Sequence, residues 1–509
     1  MTAATLRTLL TAAGVMLASA LAQAPLCTDE PQRSDSADYL RAVRGGALNT
    51  YLDSNSVTLP RFVSVIRDRS ATEGHPWEYL RRREDAGALR HFHVPLGFYA
   101  NALAARYAAS DRTQRVLAAA AGTLICGLIV VLMRRLGAGV VLSGATAVAV
   151  AVNPQFVAAM CAPSPHPWFI LVAVLFLERY EAFLETGNQR LLFFSAALLA
   201  IASATLELTP ALVLAAVPAT FIARPEWLRL VFRPRLWWRH LAAACAVFLL
   251  TLFLVWPGGI LRGGYLVSYG VFAAQALFKR GELFPPLTLA GMYQRLFDSS
   301  AFLVVVCAAG MVLLGGLIWR RRAPATACLF GLYALVSFGL NAGNGFVNST
   351  YAAEVIVFLL LTAGLGIHYA IGSATPRYRP VAAIAGCLVV GLCAAQELRN
   401  GPVRTTPADA LATAVKRVPS LVPRGATVLV NRNPQTFAAY LPQYRIEQTE
   451  AESSLRPQSA RFAGTPDYVL LDLGPINAKI LGSLREHYYE VARFKSNRGA
   501  GDLVLWCRW

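Results

Sequence analysis

With 509 residues, 56% of them hydrophobic, and a mean hydropathy of +0.46, the chain carries more apolar surface than a soluble core can bury, which excludes an ordinary soluble globular protein. A formal charge of +18 invites a nucleic-acid partner, but much of the arginine and lysine lies in short runs between apolar segments, where positive charge orients membrane spans, so nucleic acid is not an expected partner. The nine cysteines show no CxxC or Cys/His spacing suited to zinc, and six of them (Cys126, Cys245, Cys307, Cys328, Cys387, Cys393) sit inside apolar runs as small hydrophobes.

The first apolar run, near 5 to 25, is long enough to span a bilayer as a helix. Its end, Ala18-Ser19-Ala20-Leu21-Ala22-Gln23-Ala24, also resembles a signal-peptide cleavage region; retention as a first span is the favoured reading. Beyond it comes an acidic stretch. Asp35 and Asp38 of Asp35-Ser36-Ala37-Asp38-Tyr39 are three apart and share a face if a helix begins near Ser34. Aspartate is also favoured at helix caps and first turns, so capping and acid–base chemistry both remain open for the pair. Asp29-Glu30 is a weaker rival because Pro31 follows it.

Arg90-His91-Phe92-His93-Val94-Pro95 introduces an apolar stretch, 94 to 110, that contains Tyr99 and is too short to span comfortably, so it is expected to lie at the membrane interface. His91 and His93 supply two nitrogens toward a divalent metal, an incomplete site. Polar contact with a substrate and helix initiation at Pro95 are the alternatives.

Ten further apolar runs follow, near 113 to 135, 138 to 157, 166 to 182, 190 to 206, 208 to 223, 240 to 257, 300 to 319, 325 to 341, 352 to 371 and 380 to 396, giving eleven predicted spans. Arg134/Arg135, Arg179/Arg190, Arg224 to Arg239, Arg320 to Arg322 and Arg377/Arg379 occupy alternate connections, which are therefore cytoplasmic. The segment 26 to 112, the loop 258 to 299 and everything after 397 then face outward. His166, Glu207 and Glu354 sit at outer ends of spans, where an ionisable group turned to lipid is costly; a cavity or an interhelical hydrogen bond would hold each of them. In the outer loop, Arg262, Lys279 and Arg280 mingle with Tyr265, Tyr269, Phe272 and Phe278. This mixture suits a lipid phosphate and equally suits snorkelling anchors.

After 397 the pattern becomes that of a small α/β domain: a polar helix at about 407 to 419, strands at 426 to 430 and 468 to 472, a helix at 476 to 487, and strands near 489 to 494 and 502 to 507. Cys27 and Cys507 both fall in outward segments, which leaves a disulfide between them open.

In order and topology these residues resemble the polyprenyl-phosphate-sugar-dependent membrane glycosyltransferases of the GT-C fold, the class of the protein O-mannosyltransferases and the lipid A aminoarabinose transferase. Bacterial members carry an Asp-x-x-Asp/Glu-Tyr motif after the first span, matched by Asp35, Asp38 and Tyr39. Their His/Lys-Pro-Pro-Leu-Tyr-Tyr segment is matched imperfectly by His93-Val94-Pro95-Leu96-Gly97-Phe98-Tyr99, and their Ser-Pro at a later span end by Asn153-Pro154. His166-Pro167 and Glu207-Leu208-Thr209 depart from the pattern, and the span at Tyr351 lacks the usual Arg-Tyr opening.

The resemblance implies a polytopic helical membrane domain over 1 to 396 with an extracytoplasmic α/β domain over 397 to 509, in a bacterial inner membrane. It implies an inverting glycosyltransferase that takes a polyprenyl-phosphate sugar as donor and a lipid, glycan or protein as acceptor, among membrane lipids. Asp35 would be the catalytic base and Asp38 its companion. Arg90, His93, Tyr99, His166, Glu207, Arg262, Lys279, Arg280 and Glu354 would form the substrate and donor surface. The sequence identifies no certain cofactor, and a divalent metal is compatible with it. A flippase for a lipid-linked glycan, or a glycan- or lipid-binding relative without catalysis, is the alternative; a transporter would more naturally place its charges at mid-span.

Overall fold

A computed structural model describes residues 2–29, 96–97, 99, 110–206, 208–227, 234–261, 288–297, 300–342, 349–400, 410–430, 434–448, 467–472, 485, 487–495 and 502–509. They fall into two units. One holds the helices up to residue 400; the other holds 410–509 together with 28–29 and 110–113.

The apolar runs of the first unit are helices: α1 Ala3–Gln23, α2 Asp111–Arg135, α3 Val140–Ala151, α4 Pro154–Met160, α5 Pro165–Thr186, α6 Gln189–Thr205, α7 Thr209–Ala223 and α8 Pro234–Val255. Then come α9 Pro257–Leu261, α10 Leu289–Phe297, α11 Ala301–Trp319, α12 Cys328–Ala342, α13 Ser349–Ser373 and α14 Arg379–Asn400. Local chemistry sets several ends. Ser300 Oγ accepts from Leu303 N at the start of α11, and Asn188 Oδ1 accepts from Arg190 N at the start of α6. Gly187, at φ +72°, ends α5 in the left-handed conformation that glycine adopts without cost.

Among the described residues, six helices are long and apolar enough to cross a membrane, or seven when α3 and α4, bent by 67° at Val152–Asn153, are taken as one broken span. α6, α7 and the stretch Ala325–Asn341 are shorter apolar helices. Asn153 repairs the break: its Oδ1 accepts from Phe156 N to start α4, while its Nδ2 donates to Glu397 of α14 at 2.9 Å, with both side chains buried.

α13 is the centre of the bundle. Residues 352–366 are buried without interruption, so the helix, apolar there except for Glu354 and Thr362, is enclosed on every side. It crosses α11 at glycine: a Cβ at Gly310 would collide with the Ala363 backbone, and one at Gly366 with the Gly310 carbonyl. Outer helices instead turn large apolar residues outward, such as Leu10 and Leu17 on α1, Leu250 and Leu254 on α8, and Leu388 and Leu392 on α14. That pattern belongs in lipid.

The connections predicted to be basic gather at one end. Arg135 pairs with Glu178 at 3.1 Å, with Glu181, and with Glu185 at 3.9 Å. Arg224 donates to the Leu184 and Glu185 carbonyls at 2.7 Å each, and Thr326 Oγ1 donates to Glu181 at 2.7 Å. A Cβ at Gly137 would lie 3.6 Å from His368 Nε2 near the end of α13, and Arg134 donates to Thr8 Oγ1 near the start of α1. The turns after α2, α5, α7, α11 and α13 thus share a surface, as alternate connections of a membrane bundle must.

The second unit contains α15 Ala410–Leu421 and α16 Pro434–Tyr440 with β1 Thr427–Val430, β2 Arg445–Gln448, β3 Tyr468–Asp472, β4 Tyr488–Phe494 and β5 Leu503–Arg508. The strands form one sheet in the order β2-β1-β3-β5-β4. β2, β1 and β3 run parallel, β5 is antiparallel to both β3 and β4, and a bulge interrupts β4 between Glu490 and Ala492. Leu411, Ala414 and Val418 of α15 pack on Val428, Val430, Leu470 and Leu505. Also in this unit, Asp29 accepts from Arg112 N at 3.1 Å, so the acid weighed as a rival catalytic residue engages the backbone of the first turn of α2.

Candidate functional site

At the end of the bundle away from the basic turns, α5 begins with Pro165-His166-Pro167, prolines being tolerated in a first turn that lacks amide partners. His166 stands fifteen residues before Glu181 on this helix, about 22 Å at 1.5 Å per residue. It is 3% exposed, and its ring meets Tyr351 edge-on with centroids 4.5 Å apart and planes at 74°.

Tyr351 and Glu354, three residues apart in the first turns of α13, share a face. Glu354 is 1% exposed. Its Oε1 accepts from Tyr333 Oη at 2.7 Å and from Ser337 Oγ at 3.1 Å, both on α12. Hydroxyl donors at that depth offset the cost of burying a carboxylate and point it in one direction. Tyr333 is itself fixed edge-on against Phe358, with centroids 4.5 Å apart, and Asn341 donates to the Ser337 carbonyl at 2.9 Å.

The segment of Tyr99 comes to the same end. Leu96 packs with Ala200, Ala204, Leu252 and Trp256, while a Cβ at Gly97 would lie 2.5 Å from Pro165 Cβ and 3.2 Å from Thr205 Cγ2. Only glycine permits this approach to the starting turn of α5 and the last turn of α6. Tyr99 is half-buried.

The structure therefore brings His166 beside Glu354 through Tyr351, and sets the segment of Tyr99 against the residue that precedes His166. Asp35, Asp38, Arg90, His93, Glu207, Arg262, Lys279 and Arg280 lie outside the described residues. Tyr333, Ser337 and Tyr351 are participants that sequence reasoning overlooked. Tyr333, Ser337 and Asn341 form a polar stripe at four-residue spacing on an otherwise apolar helix, which is the signal that marks them. Among the described residues no group of three or more His, Cys, Asp or Glu side chains gathers as a metal site.

No protein-family model matches the chain, and no curated protein matches it. Solved structures do. The crystal structure of ArnT from Cupriavidus metallidurans bound to undecaprenyl phosphate superposes with a TM-score of 0.53 at 13% identity, covering 97% of each chain. The apo state of the same protein gives 0.54 at 12% identity, covering 99% of this chain and 98% of that one. The chain has the fold of these structures from end to end.

Proposed function

We propose that this chain is a membrane glycosyltransferase that moves a sugar from a polyprenyl-phosphate-linked donor to a lipid, glycan or protein acceptor on the outer face of a bacterial inner membrane. The observation that carries this reading is the fold shared over 97% of the chain with a structure that holds undecaprenyl phosphate. The gathering of the basic turns at one end supports the orientation, with that end cytoplasmic and the end bearing His166 and Glu354 outward. On this reading residues 1 to 396 form the membrane domain, with eleven spans once the broken span, the three shorter apolar helices and α5 are included, and 397 to 509 form a domain outside the membrane.

The chemistry is a single displacement. Asp35 takes the proton of the acceptor hydroxyl or amine as that atom forms its bond to the anomeric carbon, and Asp38 orients the acceptor. The bond from the anomeric carbon to the phosphate oxygen breaks, and its electron pair leaves with the polyprenyl phosphate. One displacement inverts the anomeric centre. Arg262, Lys279 and Arg280, with Arg90 and His93, stabilise the charge that develops on the leaving phosphate. Tyr99, His166, Glu207 and Glu354 line the substrate cavity, where the Glu354 carboxylate is aimed by Tyr333 and Ser337. Membrane lipids surround the bundle, and no step calls for a metal.

Incubating the purified full-length protein in nanodiscs with labelled polyprenyl-phosphate sugars and a mixed envelope acceptor fraction tests this. Release of polyprenyl phosphate with label in the acceptor is the expected result. Binding without release would point to a non-catalytic relative, and movement of intact lipid-linked glycan between leaflets to a transporter.

A further inference from the structure

Two cysteines with no part in the proposed chemistry meet at the end of the bundle that carries His166. Cys27 follows the 3₁₀ turn Ala24–Leu26 that ends the first helical segment, and Cys161 caps the C-terminus of α4, five residues before His166. Both are the first residues beyond their helices, with backbone angles φ −80°, ψ 68° and φ −91°, ψ −1°. Cys161 Sγ donates to the Gln23 carbonyl at 3.5 Å, which turns it toward the end of α1, where Cys27 packs on the same apolar cluster and its thiol is near enough to interact with that of Cys161. Leu26, Ala119 and Val157 close around Cys161, with Cys27 packed on the rim of this apolar cluster. Within the first unit the cysteine beside Cys27 is thus Cys161. Cys507 lies among Tyr468 and Tyr489 in the sheet.

We infer that Cys27 and Cys161 are the site of a structural disulfide joining the end of the first helical segment to α4 at the end of the bundle that carries His166. In the cell this rests on the outward orientation proposed above, because the outer face of the inner membrane is oxidising whereas the cytosol keeps thiols reduced. The bond forms by exchange with a disulfide-bearing oxidant. The half-buried Cys27 thiolate attacks one sulfur of the oxidant, giving a mixed disulfide and releasing the first thiolate. The Cys161 thiolate then attacks Cys27 Sγ and expels the second. Two protein S–H groups are lost, one S–S bond forms, and the oxidant disulfide is reduced to two thiols.

The test counts thiols in the full-length protein. Cells are quenched with a permeant maleimide, and the protein is purified without reductant, denatured in the presence of further maleimide so that buried thiols react, and analysed by mass spectrometry. Seven of the nine cysteines take the label, all nine take it when reduction precedes labelling, and a peptide pair links Cys27 to Cys161. Cys27→Ser takes eight labels without reduction, and its thermal midpoint, unlike that of the wild type, does not fall on reduction. The reduced protein is also treated with oxidised glutathione in detergent. Thiols that fail to join there, or Cys27 linked to a different cysteine, overturn the pairing and leave the proposed orientation untouched. Thiols that join there but are reduced in cells overturn the outward orientation and, with it, the bond in the cell.

Discussion

Tyr333 of α12 donates its hydroxyl to the Glu354 carboxylate of α13 across 2.7 Å, with the ring and the carboxylate both buried. The bond joins the two helices and aims a single carboxylate oxygen, so the residues on its two sides have separable effects. Tyr333→Phe removes one of two hydroxyl donors and costs about 1–3 kcal/mol of stability, the penalty for an under-satisfied buried acceptor. Glu354→Gln preserves shape and hydrogen bonding but not charge. Its transfer rate is expected to fall more than about tenfold, a loss of about 1.4 kcal/mol in transition-state stabilisation, with little change in thermal midpoint. Midpoint and rate falling together in Glu354→Gln would make the carboxylate an interhelical strut.

Asp35→Asn is expected to lower the rate of polyprenyl phosphate release by about 10² to 10⁴, the usual contribution of a general base. Asp38→Asn acts on acceptor KM more than on the rate at saturating acceptor. Initial rates over an acceptor series distinguish them, and an unaffected Asp35→Asn protein removes that residue from the base role.

Arg262→Ala, Lys279→Ala and Arg280→Ala are each expected to raise the donor KM. A charge-assisted hydrogen bond to phosphate contributes about 1.5–3 kcal/mol, roughly 10- to 100-fold in affinity. Donor titrations at fixed acceptor read this directly. Unchanged values in all three variants would reduce the loop to a set of membrane anchors.

The crossing of α11 and α13 makes Gly310 intolerant of side chains, because an added Cβ meets the Ala363 backbone, which cannot move aside as a flexible side chain would. Gly310→Leu is expected to cost more than about 3 kcal/mol, the upper end of ordinary overpacking, and to lower the yield of folded protein. Gly315→Leu on the same helix is the control, since nothing lies within 4 Å of a Cβ there. Size-exclusion profiles and thermal midpoints of the two variants give the comparison.

In the sheet, Arg493 Nε and Nη2 donate to the two Glu490 oxygens at 3.0 and 2.9 Å. This pairing holds the Glu490 carboxyl below its ordinary value of 4.5, with help from the nearby positive charge of Arg485. A carboxyl depressed in the folded state stabilises above its unfolded value, and that stabilisation is lost as the pH falls through the folded value. The window therefore opens at about pH 4.5 and extends downward. The pair is about one-third exposed, so the effect is under about 1 kcal/mol. Hydrogen exchange of segments 488–494 and 503–508, corrected for intrinsic rates, is expected to speed up below that pH in the wild type and to lose this component in Glu490→Gln.

Hydropathy located the helices because lipid demands long, nearly unbroken apolar runs, and all eleven apolar segments fall on helices. It did not locate the bend at Val152–Asn153, where the run expected to end at 157 turns and continues to Met160, since Asn153 is satisfied by a helix remote in sequence. β3 coincides with the buried run Tyr468–Asp472, whereas the edge strand β2, Arg445–Gln448, alternates charge with Ile446 and gave no hydrophobic signal. His166 and Glu354 were visible as ionisable groups at span ends. Their setting was not, because it is built from Tyr333, Ser337 and Tyr351, whose meeting depends on the packing of three helices.

The hydrogen bond from Asn153 to Glu397 bears on how the bundle is made. Asn153 stands at the break in the α3–α4 span, and its carboxylate partner lies 244 residues later, on the helix that closes the membrane unit. During synthesis from the N-terminus the amide enters the bilayer long before α14 emerges. Until then it carries an unmet donor that water or a chaperoning helix must shelter. Docking of α14 is thus a late step that seals a polar seam opened early, and chains ending before residue 379 are expected to insert yet remain substrates for membrane quality control.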